Sequence, residues 1–290
     1  MSWGPVRGPS CGPSRWPTCR PACPAARVLV GGRVRGGPWL LRRVRGRRVP
    51  RPRRPGSAAF TADGKLVWAH VRSTESWPDE EWLVLDALDG TVLGRAGTGT
   101  VGSASVTCAP AHGPHMGLSV GEGDEDSPAL WSSWDGRRLT FERIDGVLIQ
   151  DISPSGRRIL CTDPGQWALY LHESSDGREA ARLDAADSVP PVPGHDMARW
   201  GYEGACPYEY GAVVCTEEDA GTPRHWLVNP RTMSLRGQIA YPVPAHGGPR
   251  PAGPGPWWTF GESGARVHFW SLAEEYRAGP SQMASSSTSS

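Results

Sequence analysis

The sequence predicts an all-β chain, a β-propeller of four-stranded blades with five blades visible between Ser57 and Pro280. Three observations carry this. One pattern recurs five times: a turn glycine, a short apolar run, then a second apolar run that stops at a polar residue. Aligned on the end of that second run (Leu85-Asp86, Trp131-Ser132, His172-Glu173, Val228-Asn229, Trp270-Ser271), the units are 46, 41, 56 and 42 residues apart. Such periods mark radially repeated sheets, because one small sheet cannot bury both faces alone. Finally, no helical period of useful length interrupts the short runs.

Each unit reads as strand a, tight turn, strand b, loop, strand c, turn and strand d. In the first, Asp63-Gly64 makes the a–b turn, Leu66-Val67-Trp68 lies in strand b, and Asp89-Gly90 turns the chain after strand c. The second turns at His112-Gly113 and again at Asp135-Gly136. The third turns at Ser155-Gly156, places Ile159-Leu160-Cys161 in strand b and Leu169-Tyr170-Leu171 in strand c, and turns at Asp176-Gly177. In the fourth, Tyr210-Gly211 precedes Ala212-Val213-Val214-Cys215; in the fifth, Pro254-Gly255 precedes a strand c at Val267-His268-Phe269-Trp270. Glycine supplies the positive φ that a short hairpin needs, and continuous apolar runs suit strands covered on both faces.

The flanks differ in kind. Residues 1–56 hold 14 arginines and no carboxylate, are dense in Pro and Gly, and are expected to be disordered, as is the Ser/Thr-rich tail 281–290. Six or seven blades would need strands hidden in Arg27–Val44, whereas Pro50, Pro52 and Pro55 make a poor closing strand.

The stretch Asp151-Ile-Ser-Pro-Ser-Gly156, followed by Leu169-Tyr-Leu-His-Glu-Ser-Ser-Asp-Gly177, resembles a WD40 repeat. So does tryptophan at the aligned position in Trp131 and Trp270, with Asp86 and Glu173 in the acidic position that follows. No unit carries Trp-Asp at the aligned position: Trp134-Asp135 is expected in a c–d turn, and Gly194-His195 alone offers the Gly-His signature. The chain is thus similar to divergent bacterial WD40-like propellers, and the resemblance implies a protein-interaction scaffold.

A net charge of +1 conceals a segregation, since the chain after Gly56 is strongly acidic. The b–c loops, which leave a propeller on one side, carry most of that charge. They hold Glu75, Asp79, Glu80, Glu81, Glu122, Asp124, Glu125, Asp126, Asp163, Glu217, Glu218, Asp219 and Glu262, opposed by Arg72 and Arg224. A rim of one sign steers cationic partners. The candidate partner-binding residues are therefore Asp79, Glu80, Glu81, Glu122, Asp124, Glu125, Asp126, Glu217, Glu218 and Asp219, for a cationic protein or peptide. Nucleic acid is expected only at the arginine-rich segment.

No membrane span, cofactor or metal is expected: no run approaches 18 apolar residues, Asp124-Glu125-Asp126 lacks calcium-loop spacing, and His112 and His115 flank a turn without a carboxylate near them in sequence. Seven cysteines without a CxxC pair read as buried thiols of a cytoplasmic protein. Catalysis is not expected. The alternative is a carbohydrate-active or other hydrolytic propeller in which the strand-a carboxylates Asp151 and Glu203 face a central channel. Among the tryptophans, Trp82, Trp131, Trp167, Trp226 and Trp270 are expected to fill the space between blades, with Trp77, Trp134 and Trp200 exposed. A third reading has the arginine tail fold back on the acidic rim of its own or another copy.

Overall fold

A computed structural model describes residues 57–72, 80–101, 104–108, 113–122, 127–192, 197–217, 223–261 and 266–272. The expectations for residues 1–56 and 281–290, and for Trp77, His112 and Gly194-His195, lie outside these residues.

The described chain is a β-propeller of five antiparallel sheets, each formed from consecutive strands. The first holds β1 (Ala58–Phe60), β2 (Leu66–Arg72), β3 (Glu80–Asp86) and β4 (Val92–Gly97). The second holds β5 (Ala104–Cys108), β6 (His115–Gly121), β7 (Ala129–Trp134) and β8 (Leu139–Ile144). The third holds β9 (Leu148–Ile152), β10 (Arg158–Thr162), β11 (Ala168–Glu173) and β12 (Glu179–Asp184), followed by a single helical turn, α1 (Ala185–Ser188). The fourth holds β13 (Arg199–Tyr208), β14 (Gly211–Glu217), β15 (His225–Asn229) and β16 (Ser234–Gln238). The last has three strands among the described residues, β17 (His246–Pro251), β18 (Pro256–Phe260) and β19 (Val267–Ser271). The first strands of successive sheets lie against one another from β1 to β17, the arrangement of radial blades.

The turn glycines act as their positions require. Gly64, Gly113, Gly156 and Gly255 in a–b turns, and Gly90, Gly136 and Gly177 in c–d turns, all have positive φ. Gly211 instead enters β14 directly, paired with Tyr208.

Four strand-c ends fall where the repeat places them. The exception is β7, which continues to Trp134, so Trp134-Asp135 closes a strand rather than lying within a turn. There the hairpin is tighter, with Asp135 N–H donating to the Arg138 carbonyl at 3.4 Å. In the last two sheets the strand-c tryptophan bonds back to strand b: Trp226 Nε1–H donates to Thr216 Oγ1 at 3.4 Å and Trp270 Nε1–H to Thr259 Oγ1 at 3.0 Å.

The core is a series of apolar clusters, one between each consecutive pair of sheets. Trp68, Trp82 and Val84 meet Met116, Leu118, Leu130 and Trp134 between the first and second. Trp131 and Ile144 meet Ile149 and Ile159 between the second and third. Leu160, Leu169 and Leu171 meet Trp200, Val214 and Trp226 between the third and fourth, and Ala205, Val213 and Leu227 meet Trp257 between the last two. Two tryptophans expected at the surface are therefore core residues: Trp134 packs against Gly94 and Trp200 is fully buried. Conversely Trp167, expected in the core, is 42% exposed, because it precedes β11 and belongs to the b–c loop.

Candidate functional site

The b–c loops and the entries to strands a share one side of an antiparallel blade. Of the candidate rim, Glu80, Glu81, Glu122 and Glu217 are described, whereas Asp79, Asp124, Glu125, Asp126, Glu218 and Asp219 lie outside the described residues.

Glu80 departs from the expected rim. It opens β3 on the face that packs against the second sheet and is 6% exposed. Its Oε2 lies 3.2 Å from His70 Nε2 and accepts from Thr100 Oγ1 at 3.1 Å, while Thr98 and Thr100 share a 2.6 Å hydroxyl contact. Burial holds His70 down to about 4, so the imidazole is neutral at pH 7. This carboxylate anchors the end of the sheet; strand alternation, which the loop assignment ignored, turns it inward.

Neighbouring Glu81 points to the other face, half-buried, 3.6 Å from Arg95. Glu122 accepts the Val101 N–H at 2.6 Å and so ties the d–a loop to the b–c loop. Glu217, at the end of β14, is exposed and accepts from Gln166 Nε2.

That last contact leads to a surface the composition did not mark. The loop Asp163–Trp167 joins β10 to β11 and is held from every side. Asp163 accepts the Ala168 N–H through its carboxylate at 2.8 Å and the Gln166 N–H through its carbonyl at 3.0 Å. The Gln166 and Trp167 carbonyls accept from Trp200 N–H and Ala185 N–H, each at 2.8 Å. Gln166 stands at φ 64, a conformation that costs a side-chain-bearing residue about 1–3 kcal/mol and that this network enforces. The result is a half-exposed indole on a rigid base. Arg199 stands over it at 4.7 Å, and Tyr202, 48% exposed, donates its hydroxyl to the Pro164 carbonyl at 2.7 Å. With Asp163 and Glu217 alongside, the surface combines aromatic faces with carboxylates, a combination that recognises cations.

On the same side, a cleft of about 460 Å³ is lined by Arg224, His225 and the 238–245 loop. Its polar groups serve the fold: His225 Nε2–H donates to the Gly247 carbonyl at 2.9 Å, and Nδ1 meets the Tyr241 hydroxyl at 2.8 Å. The Trp257 indole N–H in turn donates to that hydroxyl at 3.0 Å. Burial raises the Tyr241 phenol and lowers His225, so both stay neutral.

The two carboxylates of the enzymatic alternative are engaged within the fold. Asp151 is buried and accepts the Cys206 N–H of β13 at 2.6 Å. Glu203 accepts the Gly248 N–H of β17 at 3.0 Å and pairs with Arg250. The inner strands pack closely around them: a Cβ at Gly204 would strike Gln150, and one at Gly248 would strike Glu203. Among the described residues, no group of three or more His, Cys, Asp or Glu is placed to hold a metal, and no helix is long and apolar enough to cross a membrane.

No protein-family model and no curated protein matches this chain. Among solved structures, it is similar to BamB from Moraxella catarrhalis, with a TM-score of 0.37 and 8% identity, covering 74% of this chain and 84% of that one. It is also similar to the Cps50 (Swd1) β-propeller domain of Myceliophteria thermophila, with a TM-score of 0.36, 9% identity, and 75% and 83% of the two chains covered. A third similarity is to Kuenenia stuttgartiensis hydrazine synthase, with a TM-score of 0.47, 11% identity, and 79% and 69% covered.

Proposed function

We propose that this chain is a non-enzymatic protein-interaction platform that binds a cationic protein or peptide through its b–c face. The observation that carries this reading is the Trp167 surface. An indole held half-exposed by a backbone conformation that costs energy, beside a second exposed ring and two carboxylates, has the make-up of a binding hot spot for an arginine or lysine. Arg199 already covers one face of the indole, so an incoming cation displaces it or takes the ring's remaining exposed surface. The remaining acidic loops would add long-range attraction and speed encounter rather than contribute most of the affinity. The main-chain partners of Asp151 and Glu203 support a scaffold over a hydrolase. Three buried, unbridged cysteines, Cys161, Cys206 and Cys215, support a cytoplasmic setting.

The test is titration of the full-length chain with an arginine-rich synthetic peptide and its glutamate-rich counterpart, by calorimetry at two salt concentrations. The arginine peptide is expected to bind, more weakly at high salt, with Trp167→Ala and Glu217→Lys each weakening it several-fold. Equal binding of both peptides, or an unchanged affinity in Trp167→Ala, would overturn the assignment.

A further inference from the structure

Arg199 in β13 and Glu217 in β14 are register partners, so their side chains stand side by side on one face of the fourth sheet. Both are exposed, and opposite charges so placed attract one another. Yet no ion pair joins them: Glu217 Oε2 accepts from Gln166 Nε2, and the Arg199 guanidinium lies over the Trp167 ring at 4.7 Å, with no hydrogen bond or ion pair to any described residue. Its N–H donors are left to solvent. The acceptors of this surface are only half used as well. Asp163 takes the Ala168 N–H on Oδ1, so Asp163 Oδ2 and Glu217 Oε1 have no partner among the described residues. Asp163 Oδ2 lies near the pyrrole edge of the indole, since a Cβ on Gly165 would stand 3.2 Å from it and 2.6 Å from Trp167 Nε1. One ring thus carries an unmatched guanidinium on its face and an unmatched carboxylate oxygen near its edge.

A uniformly cationic segment fits only half of this arrangement. Docked on Trp167, it brings like charge beside Arg199, a juxtaposition that costs affinity once water is excluded. A carboxylate next to the incoming cation reverses that cost, because guanidinium and carboxylate form paired, charge-assisted hydrogen bonds. Stacking on the indole holds the Arg199 fork in place before a partner arrives, so less side-chain freedom is lost on binding.

From this we infer that the partner segment is bipolar: a carboxylate that binds the stacked Arg199 and, close by in its sequence, an arginine or lysine that binds Asp163, Glu217 and the exposed part of the Trp167 ring. The inference rests on the reading of the Trp167 surface as a site for a cationic protein or peptide, and narrows it. Arg199 stays on the ring and determines specificity, selecting a cation that has an acidic neighbour over one that has none.

Calorimetry on the full-length chain tests this, with synthetic peptides blocked at both ends and enough salt to screen the acidic loops. The parent peptide alternates arginine with serine. In each of a set of derivatives one serine becomes glutamate, and in a further one the only carboxylate is a free C-terminus. At least one derivative is expected to bind several-fold tighter than the parent in spite of its lower net charge, and which kind gains identifies the carboxylate that is read. Arg199→Ala should abolish the gain while the parent binds as tightly as before or more so, since a like charge has gone; Arg199→Gln serves if thermal melts show the alanine variant unfolded. A parent that binds with no gain in any derivative overturns this inference and leaves the cationic-partner reading standing. So does an Arg199→Ala chain that loses parent and derivatives alike, because Arg199 would then only hold the indole. Failure of every peptide, the parent included, overturns that reading and this inference with it.

Discussion

Trp82 in β3 donates its indole N–H to the Ser132 hydroxyl in β7 at 2.9 Å, across the junction between the first and second sheets, with both side chains buried. The two lie 50 residues apart in the chain, one repeat from one another. The bond satisfies the polar atom of a large aromatic that fills the space between blades, and it sets how the two sheets meet.

Ser132→Ala leaves that indole N–H buried without its acceptor and is expected to destabilise the fold by about 1–3 kcal/mol. A double-mutant cycle with Trp82→Phe, followed by urea denaturation, is the measurement. The double variant should lose less than the two single losses added together, and simple additivity would show that the bond does not couple the sheets.

Two glycines in β4 separate space from conformation. A Cβ at Gly94 would overlap the Trp134 ring, whereas one at Gly97 meets nothing within 4 Å. Gly94→Ala should therefore cost about 1–3 kcal/mol through overpacking. Gly97→Ala should be neutral or stabilise by up to about 1 kcal/mol through the unfolded chain. Thermal midpoints of the two variants give the comparison.

Stability should depend on pH through buried histidines. Burial lowers His70 to about 4 and lowers His225 as well, so between about 6.5 and 4 the unfolded chain binds protons that the folded chain refuses. Stability is full above that window and falls as pH drops through it. His70→Gln should flatten part of the decline in urea midpoints taken across this range. The exposed turn residues Asp63, Asp89 and Asp135, whose carboxyls backbone N–H donors hold below 3.8, act only at lower pH.

Three thiols should be silent in the native protein. Cys161, Cys206 and Cys215 are buried, and desolvation raises all three, Cys215 to about 12. Because the thiolate is the reactive species, alkylation followed by peptide mass spectrometry should leave these sites unlabelled until denaturant is added. Rapid labelling of Cys161 in native protein would contradict the packing of the third sheet.

The sequence by itself determined the repeat, the turns and the strands. Spacing and turn glycines are local properties, written in neighbouring residues, and Gly64, Gly90, Gly156 and Gly255 adopt the positive φ that their positions called for. Tertiary structure decided what covers each face. Strand alternation tells two sides apart but not which side meets another sheet, so Glu80 turns inward to His70, Trp134 and Trp200 enter the core, and Trp167 stands out on a loop. The same is true of the sites. Gln166 acquires its positive φ from bonds to residues far along the chain, Trp200 and Glu217. Burial is a property of the neighbour as much as of the residue, and the neighbours here arrive from one or more repeats away.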